Sequence, residues 1–317
     1  MTSPLQPIFS ESSLDRMDHL RDRIHENIDG PDNRFVLFSD KGIVLRAADK
    51  KFLFSANDFA NVPHDKTQAI FLGGKEQEYF FALSVPSDIG HAFEHVDLKE
   101  FTTQNLLPDT ELGMIAQGAS ALKWHDNHKF CGCCGEKTNM AHGGWRRDCT
   151  PCGKQHFPRI DPVVIMLVTH KDHCLLGSGR DFQVHQRYSC LAGFMEPGET
   201  IEDAARRELF EEAGVKVRHV EYMFSQPWPF PSSLMIGVHM EAESMDMKMD
   251  EKELVGLKWV PKADIEAVLK GATDRGFNLP PRVAIARNLL EVWVSPPERP
   301  FKLAQASDPN VPVRRNG

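Results

Sequence analysis

No run of roughly eighteen or more apolar residues occurs in the 317-residue chain, so a helical membrane span is not expected. The opening MTSPLQPIFSESSLDRMDHL lacks a basic region followed by an apolar core, so a secretory leader is not expected either. Basic excess is missing too: Lys and Arg number 37 against 45 Asp and Glu, a formal net charge of −8. That argues against a protein that grips polyanions over a broad surface. It leaves room for a small phosphate site, or for carboxylates gathered around divalent metals. Cysteine is too sparse and uneven for a disulfide framework: there are 7, an odd count, with four in two C-x-x-C pairs. A reducing compartment, the cytoplasm by default, and metal thiolates follow as expectations. No internal repeat is visible.

What remains is an ordinary globular balance, 41% hydrophobic and 26% charged, in a chain long enough for two cores. Residues 1–123 are expected to form an α+β domain. An amphipathic opening (SSLDRMDHLRDRIHENI) precedes the strand-like runs RFVLFSD, GIVLRA, KFLFSA, AIFLGG and EYFFALSVP. No constellation of acid, base and nucleophile stands out there. ELGMIAQGASALKWHDNH reads as a helix leading into a cysteine-bearing segment, 124–158. Residues 159–295 alternate strands and helices, and 296–317 form a tail expected to be loosely ordered.

FCGCCG and DCTPCG give C-x-x-C-G twice, with fourteen residues between the pairs. Each turn presents two thiolates to one ion, and Gly135 and Gly153 let the backbone turn tightly behind them. Cys131, Cys134, Cys149 and Cys152 therefore predict one zinc per chain in a ribbon. Four thiolates close the coordination sphere, so the site is structural. Cys133 fits the spacing less well, and Cys174 and Cys190 lie in strand-like contexts as expected core residues. His125, His128, His142 and His156 surround the cluster and are expected to serve the surface or the packing.

Residues Gly193 to Val215 read GFMEPGETIEDAARRELFEEAGV. Acids lead, good helix formers follow, Thr200 with Asp203 offers a capping-box-like start, and Gly214 sits where a C-cap belongs. On that helix Glu208, Glu211 and Glu212 stand at i, i+3 and i+4 and share one face. Three like charges repel, and a solvated surface helix has no need of them. A hard divalent cation, Mg²⁺ or Mn²⁺, makes the arrangement favourable, because it prefers carboxylate oxygens and keeps waters. Such an ion neutralises phosphate, activates a water and steadies a departing oxyanion. Arg207, beside the cluster, can pair with an acid and fix its direction.

Glycine, five residues, glutamate, seven residues, then Arg-Glu-aliphatic-x-Glu-Glu-x-Gly-aliphatic resembles the box of the Nudix hydrolases. Gly193, Glu199, Arg207, Glu208, Leu209, Glu211, Glu212, Gly214 and Val215 occupy all nine specified positions. The resemblance implies an α/β fold, an α/β/α sandwich with a mixed sheet, that hydrolyses a nucleoside diphosphate linked to another moiety. It also implies that Glu208, Glu211 and Glu212 hold the metals, while Glu199 and Arg207 brace the loop and helix. Glu212 would take the proton of the attacking water, with Glu211 the next choice.

Ten residues past the box, SQPWPFPSS is similar to the signature of the NAD(H) pyrophosphatase branch of that family. It is complete at Ser225, Gln226, Pro227, Trp228, Pro229, Phe230, Pro231 and Ser233. The branch carries a four-cysteine ribbon before its Nudix domain and a non-catalytic domain before that, so the likeness spans about residues 1 to 295. It implies cleavage of NAD(H) to NMN(H) and AMP, or, by the same site, removal of an NAD cap from RNA 5′ ends. The prolines would hold Trp228 and Phe230 as a rigid wall in a loop between two strands, with Gln226, Ser232 and Ser233 supplying polar contacts. Phe194 would stack on the nicotinamide, and Phe157 would close over the ring in the partner subunit, which implies a homodimer. Glu253, or nearby Glu251, would add a metal contact, Ala192 would offer its carbonyl to the metal, and Ala286 a backbone contact to the ligand. Gly144 departs from the branch, where some members carry an acid that touches substrate.

Overall fold

Five of the aromatic and β-branched runs near the start become strands of one sheet. The computed structural model describes residues 7–10, 12–103, 109–180 and 186–296. Its first sheet contains β1 (Arg34–Ser39), β2 (Gly42–Arg46), β3 (Leu53–Phe54), β4 (Ile70–Lys75), β5 (Glu78–Ser84) and β6 (Phe93–Val96). Their order is β4-β5-β1-β2-β6, with β3 also on β1. β6, FEHV, is too short and polar to stand out in the sequence. Alternate side chains leave the sheet on opposite faces. Val36, Ile43 and Ile70 meet Leu112, Ile115 and Leu122 of the long helix on one side. Phe35, Phe71 and Phe81 meet Ile24 and Phe59 on the other.

The amphipathic opening forms two 3₁₀ turns, Asp18–Leu20 and Ile24–Asn27, and no continuous helix. A short α1 (Leu98–Thr103) precedes the long α2 (Asp109–Asn127). The expected boundary after residue 123 therefore falls inside α2, whose last turn faces the ribbon strands β7 (Asn139–Ala141), β8 (Arg146–Asp148) and β9 (Gln155–His156).

The C-terminal unit comprises β10 (Asp161–His170), β11 (His173–Gly179), β12 (Leu191–Phe194), α3 (Ile201–Ala213), β13 (Val217–Trp228), β14 (Ser233–Ala242), β15 (Leu254–Pro261), α4 (Lys262–Leu269) and α5 (Ile285–Val294). Its sheet runs β13-β14-β10-β11-β15 with β12 on β10, and β10 and β14 are parallel in an otherwise antiparallel ladder. Ala204, Ala205 and Leu209 of α3 cover one face. Ile285, Leu289 and Leu290 of α5 cover the other. This is the expected α/β/α sandwich with a mixed sheet.

The two sheets share one connectivity, strand for strand, including the parallel pair β1/β5 that matches β10/β14. The chain therefore holds a structural repeat that its sequence conceals. The units differ where chemistry would sit: between β12 and β13 lies α3, whereas between β3 and β4 lie only the turns Ala56–Phe59 and Lys66–Gln68.

The proline segment also differs from expectation. Ser225 to Trp228 belong to β13, paired with Ser233 to Ile236 of β14, so only residues 229–232 form the turn. β13 is an edge strand, where Pro227 can lack a donor without breaking an inner ladder. The Phe230–Pro231 peptide is cis. Residues 297–317 of the expected tail lie outside the described residues. No described helix is long and apolar enough to cross a membrane.

Candidate active site and metal centres

The two knuckles repeat one geometry. Gly135 N–H donates to the Cys131 carbonyl at 2.9 Å and Gly153 N–H to the Cys149 carbonyl at 2.8 Å. Both glycines hold left-handed φ, +78° and +71°, which a side chain would resist. The result brings the Sγ atoms of Cys131, Cys134, Cys149 and Cys152 within 4.8 Å of one another. Cys131–Cys152 and Cys134–Cys149 are 3.6 and 3.5 Å apart. Four sulfurs bound tetrahedrally to zinc lie about 3.8 Å apart, so the set fits that ion with little adjustment. The backbone N–H groups of Cys134 and Cys133 draw the Cys131 thiol down to about 6, towards the thiolate that zinc requires. Cys133 itself stands outside the cluster, and Cys174 and Cys190 are buried core thiols.

Of the four histidines, His156 has Nε2 3.2 Å from the Cys131 sulfur, a contact beyond simple packing. His142 pairs with Asp18 and Asp22. His128 hydrogen-bonds the Trp124 carbonyl, and His125 is buried. Gly144 packs on Ile70, where an added Cβ would come within 2.9 Å of that side chain. The departure from the branch acid thus coincides with a tight contact between ribbon and N-terminal sheet.

In the Nudix unit, Thr200 caps α3 by accepting from Asp203 N–H at 3.1 Å, and Gly214 ends the helix in the left-handed region. Arg207 is the hub of the carboxylates. Its Nη2 donates to Glu199 at 2.8 Å and to the Phe194 carbonyl at 2.9 Å, and its Nη1 to Glu208 at 2.8 Å and Glu211 at 3.0 Å. Glu199 is held at about 2 by this guanidinium and the Glu196 N–H. Gly193 gives Glu208 its place: a Cβ there would stand 2.0 Å from the Glu208 carboxyl carbon.

Glu212 differs from its neighbours. It is buried, its Oε2 has no hydrogen-bond partner, and burial together with Glu208, Glu253 and Glu211 pushes its pKa up to about 8. An unpaired buried carboxyl oxygen among further acids is what a divalent cation would satisfy, so these hard donors fit Mg²⁺ or Mn²⁺. The carboxylates do not converge on one point. Among the described residues, the cysteines are the only set of three or more candidate ligands with donor atoms within 4.8 Å. Glu208 and Glu211 are drawn to Arg207 instead.

Glu212 opens onto a cavity of about 380 Å³ that also meets Ala192, Glu253, Trp228 and Ala286. Glu253, not Glu251, lines it. The turn carrying Glu253 is tied back by Asp250 N–H to the Glu212 carbonyl, 2.9 Å, and by Arg180, which donates to the carbonyls of Glu251 and Lys252. Sequence reasoning missed Arg180, which carries no motif of its own. Gln226 lines the cavity, but its carboxamide is not free for a ligand. Nε2 donates to the carbonyls of Ile8 and Val283, Oε1 accepts from Ile285 N–H, all at 2.9 Å, and the residue is fully buried. The expected polar contact from Gln226 is corrected to a brace under α5.

The remaining expected residues are dispersed. Pro227, Ser232 and Ser233 open onto a different cavity of about 390 Å³ beside Arg21 and Trp145. Pro229 is buried, Pro231 is exposed, and Phe230 packs edge-on to Trp228 at 5.0 Å, with Phe9 of the N-terminal unit against both rings. Phe157 and Phe194 are exposed, 63% and 60%.

Comparison with known proteins agrees with the three-part architecture. Residues 159–279 match the NUDIX domain, 126–157 the NADH pyrophosphatase zinc ribbon domain, and 32–124 the NADH pyrophosphatase-like rudimentary NUDIX domain. The last assignment accords with the repeated topology. The chain is 46% identical over 198 residues to the NAD-capped RNA hydrolase NUDT12 of Homo sapiens, covering 59% of this chain but only 43% of that protein. It is 32% identical over 309 residues to the NAD-capped RNA hydrolase NudC of Mycobacterium tuberculosis (strain ATCC 25177 / H37Ra), covering 91% of this chain and 95% of that one. A Nudix hydrolase structure from Nitrosomonas europaea aligns with TM-score 0.42 and 19% identity, over 52% of this chain and 90% of that chain. With the box, the ribbon and the rudimentary domain in register along nearly its whole length, the chain belongs to the NADH pyrophosphatase branch of the Nudix hydrolases.

Proposed function

We propose that the cavity beside Glu212 hydrolyses the pyrophosphate bond of NAD(H), releasing NMN(H) and AMP. The observation that carries this reading is Glu212, a buried carboxylate with one oxygen unpartnered, which lines a cavity shared with Ala192 and Glu253. Glu208, Glu211, Glu212, Glu253 and the Ala192 carbonyl would hold Mg²⁺ or Mn²⁺, which when bound neutralises the pyrophosphate and makes a water acidic. Glu212 would accept the proton of the attacking water. It is preferred to Glu211 because it lines the cavity, whereas the Glu211 side chain is 59% exposed and committed to Arg207. Arg207 holds Glu208 and Glu199 in place, and Gln226 fixes the start of α5, which brings Ala286 to the cavity. Trp228 supplies an aromatic wall. Phe194, with Phe157 of the partner subunit, offers two flat faces for nicotinamide, which requires a homodimer. The closed ribbon zinc takes no part in the chemistry, and the cytoplasm is the proposed compartment.

Removal of an NAD cap from RNA uses the same bond and the same groups. The relatives bearing that name favour it as a second reading. A panel of NAD⁺, NADH, ADP-ribose and diadenosine polyphosphates with Mg²⁺ or Mn²⁺, products resolved by chromatography, tests the first reading. AMP and NMN(H) should dominate, and preference for a substrate without nicotinamide would overturn it.

A further inference from the structure

A second cavity that joins the catalytic one carries more cations than acids among its described lining residues. It measures about 870 Å³ and shares Gly179, Ser189, Trp228, Glu253 and Ala284 with the catalytic cavity. Among the described residues its charged lining, beyond Glu253, is Lys99, Arg180 and Arg187. Lys99 comes from α1 of the N-terminal unit and Arg180 from the end of β11, so the cleft runs between the two units. Trp228 and Phe230 form one wall, and the Lys99 ammonium lies 5.5 Å from the Phe230 ring centroid. Among the described residues no carboxylate pairs with the Lys99 ammonium.

This segregation of charge is unexpected in a chain of formal charge −8 whose catalytic cavity is lined by Glu212 and Glu253. A free dinucleotide puts its negative charge on the pyrophosphate, at the metal-binding carboxylates. A capped RNA carries one further negative charge per nucleotide, leading away from that point. Cations and aromatic side chains along a groove suit a single strand held by its backbone and by stacking. Among the described residues the uncharged polar side chains lining the cleft are Thr102 and Ser189, which offer little to read base edges.

Resting on the proposed hydrolysis, we infer that the cleft between α1 and β11 holds the first nucleotides of an RNA chain joined to the adenosine side of an NAD cap. Lys99 is the positioning cation for that chain and not for free NAD. Its contribution is sequence-independent and weakens with salt.

The test compares NAD⁺ with an NAD-capped oligoribonucleotide, using the full-length chain with Mn²⁺ at low and moderate salt. The proteins are wild type, Lys99→Glu and Lys99→Arg. Lys99→Glu should lower kcat/KM for capped RNA about tenfold and flatten its salt dependence. Hydrolysis of NAD⁺ should stay within about twofold, which also reports an intact fold, and Lys99→Arg should retain capped-RNA activity. Equal losses on both substrates, no loss on either, or wild-type protein that cleaves NAD⁺ but not capped RNA would each overturn the inference. Failure of wild type on NAD⁺ itself would instead remove the hydrolysis on which it rests.

Discussion

Arg147 donates a guanidinium N–H to Nδ1 of His125 across 2.8 Å, while Nε2 of the same ring meets the Gly144 carbonyl at 2.7 Å. The arginine also donates to the hydroxyl and the carbonyl of Thr138. α2, the ribbon and the junction with the N-terminal sheet are thereby joined in one buried network. Its geometry allows only the neutral imidazole protonated at Nε2, because a proton on Nδ1 would face the guanidinium.

An acid-sensitivity prediction follows from that tautomer. Burial, the largest cause, and Arg147 hold His125 at about 4, below its ordinary 6.5. Between those values the unfolded chain binds the proton and the folded one does not, so stability is lost as pH falls from 6.5 through 4. The loss should reach up to about 3 kcal/mol. Urea midpoints at pH 7 and 4.5 should show a larger acid penalty for wild type than for His125→Gln, which keeps an acceptor for Arg147. Equal penalties would refute the buried neutral imidazole.

The ribbon gives a second, compositional test. Cys131→Ser should reduce bound zinc from one per chain to nearly none and lower the melting temperature, because Cys131 is one corner of the closed set. Cys133→Ser should leave metal content unchanged, since that exposed thiol lies outside the cluster. Mass spectrometry of the intact metalloprotein distinguishes the two.

Most of the candidate site was legible because its residues are close in sequence. Helical spacing alone puts Glu208, Glu211 and Glu212 on one face, and Thr200 and Gly214 mark the ends of α3 as they stand in the structure. What escaped the sequence depends on contacts between distant segments. Gln226 looks like a ligand group until Ile8, Val283 and Ile285 are seen around it. The duplicated topology is hidden because a sheet needs only apolar alternation and turns, which many unrelated sequences supply. The proline run reads as a loop because proline is rare in inner strands, yet β13 is an edge.

Gly193 should be intolerant of even one methyl for a chemical and not a structural reason. An alanine Cβ would fall 2.0 Å from the Glu208 carboxyl carbon, and that carboxylate, at the end of a flexible side chain, can swing away cheaply. Gly193→Ala is therefore expected to keep its melting temperature within a few degrees while weakening activating Mn²⁺ about 10- to 100-fold. Titration of activity against Mn²⁺ reads the shift, and an unchanged midpoint would count against Glu208 as a metal ligand.

Glu212→Gln separates catalysis from stability in opposite directions. Turnover should fall about a thousandfold, as expected for loss of a general base that is also a metal ligand. In protein that keeps its zinc but is freed of Mg²⁺ and Mn²⁺, the raised pKa of about 8 makes the wild-type carboxyl protonated at neutral pH. The stability this proton provides is full below the ordinary 4.5 and lost as pH rises through 8. At pH 9 the glutamine variant should then be more stable than wild type by about 1–3 kcal/mol, a gap that adding Mn²⁺ closes. A wild type as stable at pH 9 as the variant would mean that Glu212 is not buried among like charges.

Gln226 is where a ligand role and a structural role predict different numbers. As a ligand contact, its loss would raise KM and leave the fold unchanged. As the brace seen here, Gln226→Ala strands two buried carbonyls, of Ile8 and Val283, and the N–H of Ile285. The cost of such unpaired groups and the void beside them is about 2–4 kcal/mol. Gln226→Glu is a sharper probe, because it keeps the shape and the acceptor for Ile285 while replacing the amide donor with an oxygen facing two carbonyls. That variant should be no more stable than the alanine one, since the amide that ties the Ile8 and Val283 carbonyls beside the start of α5 is lost. Thermal melts of both variants beside their KM for NAD⁺ decide the matter: a full-strength melt with a raised KM would restore Gln226 to the substrate, whereas an early melt places it in the frame.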